Sequence, residues 1–220
     1  MNHQFTPIDV TTWPRGEEFY YFSKLAPTGY SICVNMNVSR LRADLKARGK
    51  KFYPAYLYLV TRVINLLPEF RTAIKDEMVG FYQMLTPLYA CFHEENKTIS
   101  LMWTEYNESF SAFHQAYLED AAAYGGRLGL LSKPGLPPEN SYIVSCIPWI
   151  HFNSFSLHSY EKKDYFLPSI EAGKFEEKDG TTLMPLSITA HHAATDGYHL
   201  TIFIQELQRL MDQTDIWIDK

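Results

Sequence analysis

The chain has 220 residues, 46% apolar and 15% aromatic, enough for one sizeable core and read as one domain over 1–220. A formal net charge of −5 with no basic tract argues against nucleic-acid binding, which needs a cationic surface facing phosphate. Cys33, Cys91 and Cys146 are scattered with no CxxC pair, which suggests neither a zinc ribbon nor a disulfide framework, and no apolar run is long enough to span a membrane.

Those cysteines suit a reducing cytoplasm, and MNHQFTPIDV has no signal-peptide pattern. In GYSICVNMNV, Tyr30, Ile32, Val34, Met36 and Val38 alternate with Ser31, Cys33, Asn35 and Asn37, which predicts a half-buried strand. Ser39 is the expected N-cap of a short helix stopped by Gly49. Pro54 suits a first helical turn, and AYLYLVTRVINLL continues to Pro68, apolar nearly all round and so buried on most sides. From Met78 to Tyr106 the pattern is strand-like, with EENK as a hairpin turn. ESFSAFHQAYLEDAAAYGG predicts a helix ended by Gly125 and Gly126, and RLGLLSKPGLPPEN is a Pro/Gly loop. SYIVSCIPWIHF and KFEEKDGTTLMPLSITA are extended, EEKDG is a turn, and HLTIFIQELQRLM is a helix. These elements predict an α/β (α+β) two-layer sandwich: a mixed, largely antiparallel sheet with helices on one face.

Between the last strand and helix stands HHAATDGYH. Adjacent strand residues face opposite ways, so His191 and His192 do not converge on one metal, and no cysteine is near; no metal is expected. Two readings stay open. One histidine is a core residue and the other solvated, or His192, with Asp196 four residues on and Gly197 for a tight turn, is a neutral base at a strand end.

HHAATDGYH after LMPLSITA resembles the signature of the type A chloramphenicol acetyltransferases, whose HxxxDG element is shared with the acyltransferase cores of 2-oxo acid dehydrogenase complexes. KFYPAYLYLVTRVIN, EFRTAIKDE, FHEENKTIS, PPEN, IPWIHFNSF and DYFLPSIEAGKF resemble that family in the same order, over essentially the whole chain. The resemblance implies a homotrimer with active sites between subunits and acetyl-CoA as co-substrate. The acetyl group goes directly to a hydroxyl of an acceptor, with no acyl-enzyme. It implies His192 as general base, Ser154 as oxyanion donor, and Asp196 paired with Arg15 of Trp13-Pro14-Arg15 as structural support. His191 then takes a core or interface role, and His199 none that carries over. Phe152 and Ser154, two apart, would share a strand face. Coenzyme contacts fall on Lys51, Tyr53, Lys174 and Phe175, the last lacking a hydroxyl often present in the family.

The acceptor positions depart from the family. Tyr21-Phe22 replaces Phe-Tyr, which on a strand would turn the hydroxyl to the other face. Ala26 stands for a leucine, Ser132 for a phenylalanine and Glu171 for a threonine, while Phe92 and Phe152 match. Chloramphenicol is the first acceptor expected. Another hydroxyl or amine acceptor, or a trimer that binds without turnover, are the alternatives.

Overall fold

A computed structural model describes residues 4–158 and 164–220. In chain order they form β1 (Phe5–Pro7), α1 (Gly16–Tyr20), β2 (Gly29–Asn37), α2 (Ser39–Ala47), α3 (Phe52–Leu66), β3 (Thr72–Lys75), β4 (Met78–Tyr82), β5 (Thr86–His93), β6 (Thr98–Trp103) and α4 (Phe110–Tyr124). β7 (Ser141–Ile147), β8 (Ser169–Gly173), β9 (Glu176–Lys178), β10 (Thr181–His191) and α5 (Gly197–Asp212) follow.

The main sheet has seven strands in the order β2-β10-β8-β7-β5-β6, with β9 added against β10. β7 runs parallel to β5 and β8, and the other pairs are antiparallel. The alternation of β2 has its reason in its partner: Ile32, Val34 and Met36 sit opposite Ile188, Leu186 and Met184 of β10, all on the face that carries the helices. The opposite face holds small polar residues in adjoining rows: Ser31 and Cys33, Ser187 and Thr189, Ser169 and Glu171, and Ser145.

α3 is buried on most sides because it lies between the sheet, α4 and α5. Its interior Thr61 is satisfied, with Oγ1 2.6 Å from Leu57 O and 2.7 Å from Tyr142 Oη. Trp217 closes this core after α5, its Nε1–H donated to Leu210 O at 2.9 Å and its ring against Tyr58 and Phe110. Truncating so large a buried group leaves a cavity, so Trp217→Ala should cost about 3–5 kcal/mol, read as a lower urea midpoint at unchanged slope.

Several local expectations hold. His93 to Thr98 turn through EENK, and Asp179–Gly180, both at positive φ (50° and 75°), make the tight turn from β9 to β10. Others are corrected. Ser39 caps nothing; its Oγ instead accepts the Thr182 N–H at 2.9 Å, tying α2 to β10. The strand begun at Ser141 stops at Ile147, because Pro148 has no N–H for the ladder, and 148–158 is irregular. A second, three-stranded sheet, β1-β4-β3, stands apart, and the sequence pattern did not distinguish it. No helix among the described residues is long and apolar enough to cross a membrane.

Candidate active site

The histidine loop begins where β10 ends. The His192 N–H is donated to Thr28 O at 2.8 Å, which continues the strand contact by one residue. Its ring stacks on Phe22 at 4.0 Å and 20° and leans on Tyr30 at 5.2 Å. Nδ1 lies 3.1 Å from the Thr195 carbonyl. A carbonyl only accepts, so Nδ1 carries the hydrogen and Nε2 keeps a lone pair, the tautomer a general base needs.

The small residues of the loop have a packing reason. Ala193 and Ala194 are fully buried in a satellite core with Phe19 and Phe166, walled by Trp13, Phe22, Ile74 and Val79. His191 points to different partners: its ring meets Phe166 edge-on at 4.7 Å, and its Nδ1 accepts the Ala193 N–H. Burial lowers its pKa, and the neighbouring His192 adds to that.

Asp196 caps α5, accepting the Tyr198 N–H at 2.9 Å, while His199 Nδ1 lies 2.9 Å from Asp196 Oδ1 and 3.2 Å from its backbone N. The residue that follows the carbonyl holding His192 is therefore itself held by His199. Arg15 Nη1 fixes the same residue through Asp196 Oδ2 at 2.7 Å. Asp196 is thus tied down on both sides, and His199 joins it, a contact that sequence reasoning missed and a capping-box pattern three residues after an N-cap could have suggested. Gly197 makes no tight turn: it opens α5 outside the left-handed region, and a Cβ there would meet nothing within 4 Å.

Burial pushes the Asp196 carboxyl up, but the Arg15 hydrogen bond and charge, His199 and the Tyr198 N–H outweigh it and bring the pKa down to about 2. Its stabilising contribution is therefore complete above the unfolded value of about 3.9 and is lost as pH falls toward 2. Asp196 is about one-third exposed, so we expect Asp196→Asn to cost a discounted ~1–2 kcal/mol at pH 6. The deficit should shrink as urea unfolding is repeated down to pH 2; a deficit independent of pH would contradict the pairing.

Tyr21 and Phe22 do not lie on a strand. They open a π-helical turn, Tyr21–Leu25, so exchanging the hydroxyl between them does not flip it across a sheet. Phe22 is half-buried on His192 and Tyr21 is exposed, their rings 5.0 Å apart, and Ala26 ends the turn with its N–H on Tyr21 O. Ser132 is away from this group, bonded to Leu101 O on β6.

The second group of residues sits mid-sheet. β5 and β7 pair only from Thr86↔Ser141 to Leu88↔Ile143 and then part. An apolar cavity of about 400 Å³ fills the gap, lined by Tyr53, Tyr56, Cys146, Ala172, Met184 and Phe175 and also by Ala90, Phe92 and Ile99. Ala90 and Phe92 alternate with the buried Tyr89, so the cavity takes lining from both faces of the sheet. Three expected residues thus meet here: Tyr53, Phe175 and Phe92. Lys51 and Lys174 are exposed and adjoin the lining residues Phe52 and Gly173 in sequence. Trp149, which also lines the cavity and meets Phe92 edge-on at 4.7 Å, was missed, although its place beside Pro148 was a signal. The set fits a thin apolar arm ending in phosphates, the chemistry of coenzyme A.

Ser154 is exposed on the irregular 148–158 segment, so it shares no strand face with Phe152, which is buried over Gly173. Another serine was missed. Ser145 stands on β7 just past the point where β5 leaves it, beside Glu171 in register, and next to the cavity-lining Cys146. Tyr56 Oη holds its carbonyl at 3.3 Å. SYIVSCI has no clean polar/apolar alternation to mark it, since Ile143 and Ile147 share its face, and only strand pairing sets it opposite Glu171. Glu171 is buried in the next row, opposite both Ser145 and Ser187.

The two groups are separate in one chain. Ser187 faces Glu171, and His192 lies five residues further along, roughly 15 Å at the strand rise. Attack on a thioester needs the reacting groups within about 3–3.5 Å.

A family model described as chloramphenicol acetyltransferase matches residues 1–208. A Campylobacter coli protein of that name is 42% identical over 211 residues, covering 96% of this chain and 100% of the relative. A Staphylococcus aureus protein of the same name is 39% identical over 215 residues, covering 97% and 99%. A solved chloramphenicol acetyltransferase superposes with TM-score 0.84 at 26% identity, covering 94% of this chain and 100% of that one. An Azotobacter vinelandii dihydrolipoamide acetyltransferase, at TM-score 0.66 and 15% identity, shares the fold.

Proposed function

Because this chain belongs to the chloramphenicol acetyltransferase family, we propose that it moves an acetyl group from acetyl-CoA to a hydroxyl of chloramphenicol. The observation that carries the reading is the His192 ring, whose Nδ1–H is committed to Thr195 O and whose Nε2 is left as the base. The acceptor hydroxyl attacks the thioester carbonyl as Nε2 takes its proton. The resulting oxyanion is held by a serine hydroxyl from the Ser145–Ser154 passage. Collapse breaks the carbon–sulfur bond, and the proton on His192 goes to the departing sulfur. Coenzyme A enters by the apolar cavity, with Lys51 and Lys174 toward its phosphates and Tyr53 and Phe175 along its arm. No metal takes part in this scheme.

The roughly 15 Å between His192 and the Ser145–Glu171 row supports a site shared between two copies, as in a homotrimer. Purified wild type should release thiol from acetyl-CoA only when chloramphenicol is present; no release above the enzyme-free rate refutes the activity. Co-expressing His192→Ala with Ser145→Ala chains should restore activity at about a quarter of sites, since random assembly pairs intact faces that often. Failure of two inactive but folded chains to complement would place both groups in one subunit.

A further inference from the structure

Glu171 is buried, 1% exposed, between two spaces. Ser169, two residues back on β8, lines a cleft of about 460 Å³ with Thr28, Leu157, Thr189 and His191. Ala172 and Gly173, the next residues, line the apolar cavity. An acceptor meeting the thioester between these spaces would lie against Glu171.

Its carboxyl is only half satisfied. Oε1 accepts the Ser169 hydroxyl, and Oε2 is buried with no partner among the described residues. Two nearby donors are committed elsewhere: Ser187 Oγ–H goes to Phe155 O at 2.6 Å, and Tyr56 Oη–H goes to Ser145 O. The titratable groups around it are Tyr56 from α3, Cys146 on β7 and Cys33 beyond Ser187 on β2, each with its pKa raised by burial and so uncharged at neutral pH. His158 and His191 line the cleft beyond Ser169. Burial raises the Glu171 pKa to about 7, the Ser169 bond opposes it, and no cation among the described residues contributes.

We infer, resting on the acetyltransferase reading above, that Glu171 makes the acceptor site select molecules that carry a protonated amine beside the hydroxyl to be acetylated. A buried carboxylate without a counter-charge is costly, so the empty site favours the protonated form more than water does. An arriving ammonium supplies the missing charge and the missing donor for Oε2. The carboxyl then gives its proton to solvent and remains as carboxylate paired with the ammonium. With its pKa raised to about 7, part of the sites are protonated at pH 7, so binding releases a fraction of a proton per site. A neutral acceptor releases none.

The test uses a matched pair: chloramphenicol, a neutral amide, and its primary-amine analogue lacking the dichloroacetyl group. Both are titrated into full-length wild type, Glu171→Gln and Glu171→Thr by calorimetry at pH 7, in two buffers of different ionisation enthalpy. The expected result is amine-specific proton release in wild type, absent in Glu171→Gln, and a fall of at least about tenfold in the amine-to-chloramphenicol affinity ratio in both variants. An amine that fails to bind wild type, a ratio that stays within about twofold, or release that persists in Glu171→Gln overturns the proposal. Thermal unfolding of each variant checks that it is folded. Thiol release by wild type with chloramphenicol is scored separately, so loss of the catalytic reading and loss of the selectivity reading give different results.

Discussion

His192→Ala is expected to lower the kcat of chloramphenicol-dependent thiol release by about 10²–10⁴-fold while the KM for acetyl-CoA changes little. The proposed base is lost, and its titratable neighbours among the described residues are committed elsewhere. His191 Nδ1 is occupied by the Ala193 N–H, and Asp196 is held by Arg15 and the first turn of α5. The apolar cavity proposed for coenzyme A lies mid-sheet and is not lined by the loop, which is why the two kinetic constants should separate. The variant also leaves a slot between Phe22 and Tyr30 shaped for an imidazole. Added imidazole should therefore restore part of the rate, a response that a merely structural histidine would not give. A variant that turns over at the wild-type rate would falsify the base assignment.

Ser145→Ala should be the second severe variant, with a loss of about 10²–10³-fold in kcat, the usual effect of deleting one oxyanion donor. An oxyanion donor works by being held in place before charge develops. Ser145 meets that condition: it is on a paired strand, its carbonyl is tied by Tyr56, and its neighbour Cys146 lines the apolar cavity. Ser154, which the motif spacing suggested, is exposed on an irregular segment, so Ser154→Ala should stay within about threefold of wild type. The reverse pattern in a side-by-side assay would return the role to Ser154.

Ser154 shows where one-dimensional reasoning stopped. Its assignment required a strand through Phe152, and the pattern SYIVSCIPWIHF looked extended throughout. Pro148 ends the ladder, and the chain then folds over the open face, where Phe155 O takes the Ser187 hydroxyl and Phe152 covers Gly173. Tyr21-Phe22 failed in the same way, since a π-helical turn has no period-two signal to read. By contrast, the loop HHAATDGYH was legible: its alternation separates His191 from His192, and its small residues mark the close packing under Trp13 and Phe19.

Sequence by itself determined what depends on neighbouring residues. The period of β2, the burial of α3, the Asp179–Gly180 turn and the stretch that carries the histidine are all of this kind, because side-chain direction repeats every 2.0 or 3.6 residues. Only the tertiary structure decided what depends on residues far apart in the chain. It parted β5 from β7 to open a cavity through the sheet, brought Arg15 to Asp196 across 181 positions, and left Glu171 under a folded-over loop with an oxygen unpaired among the described residues. Strand partners and counter-charges are chosen by the whole core at once, and no local window of residues contains that choice.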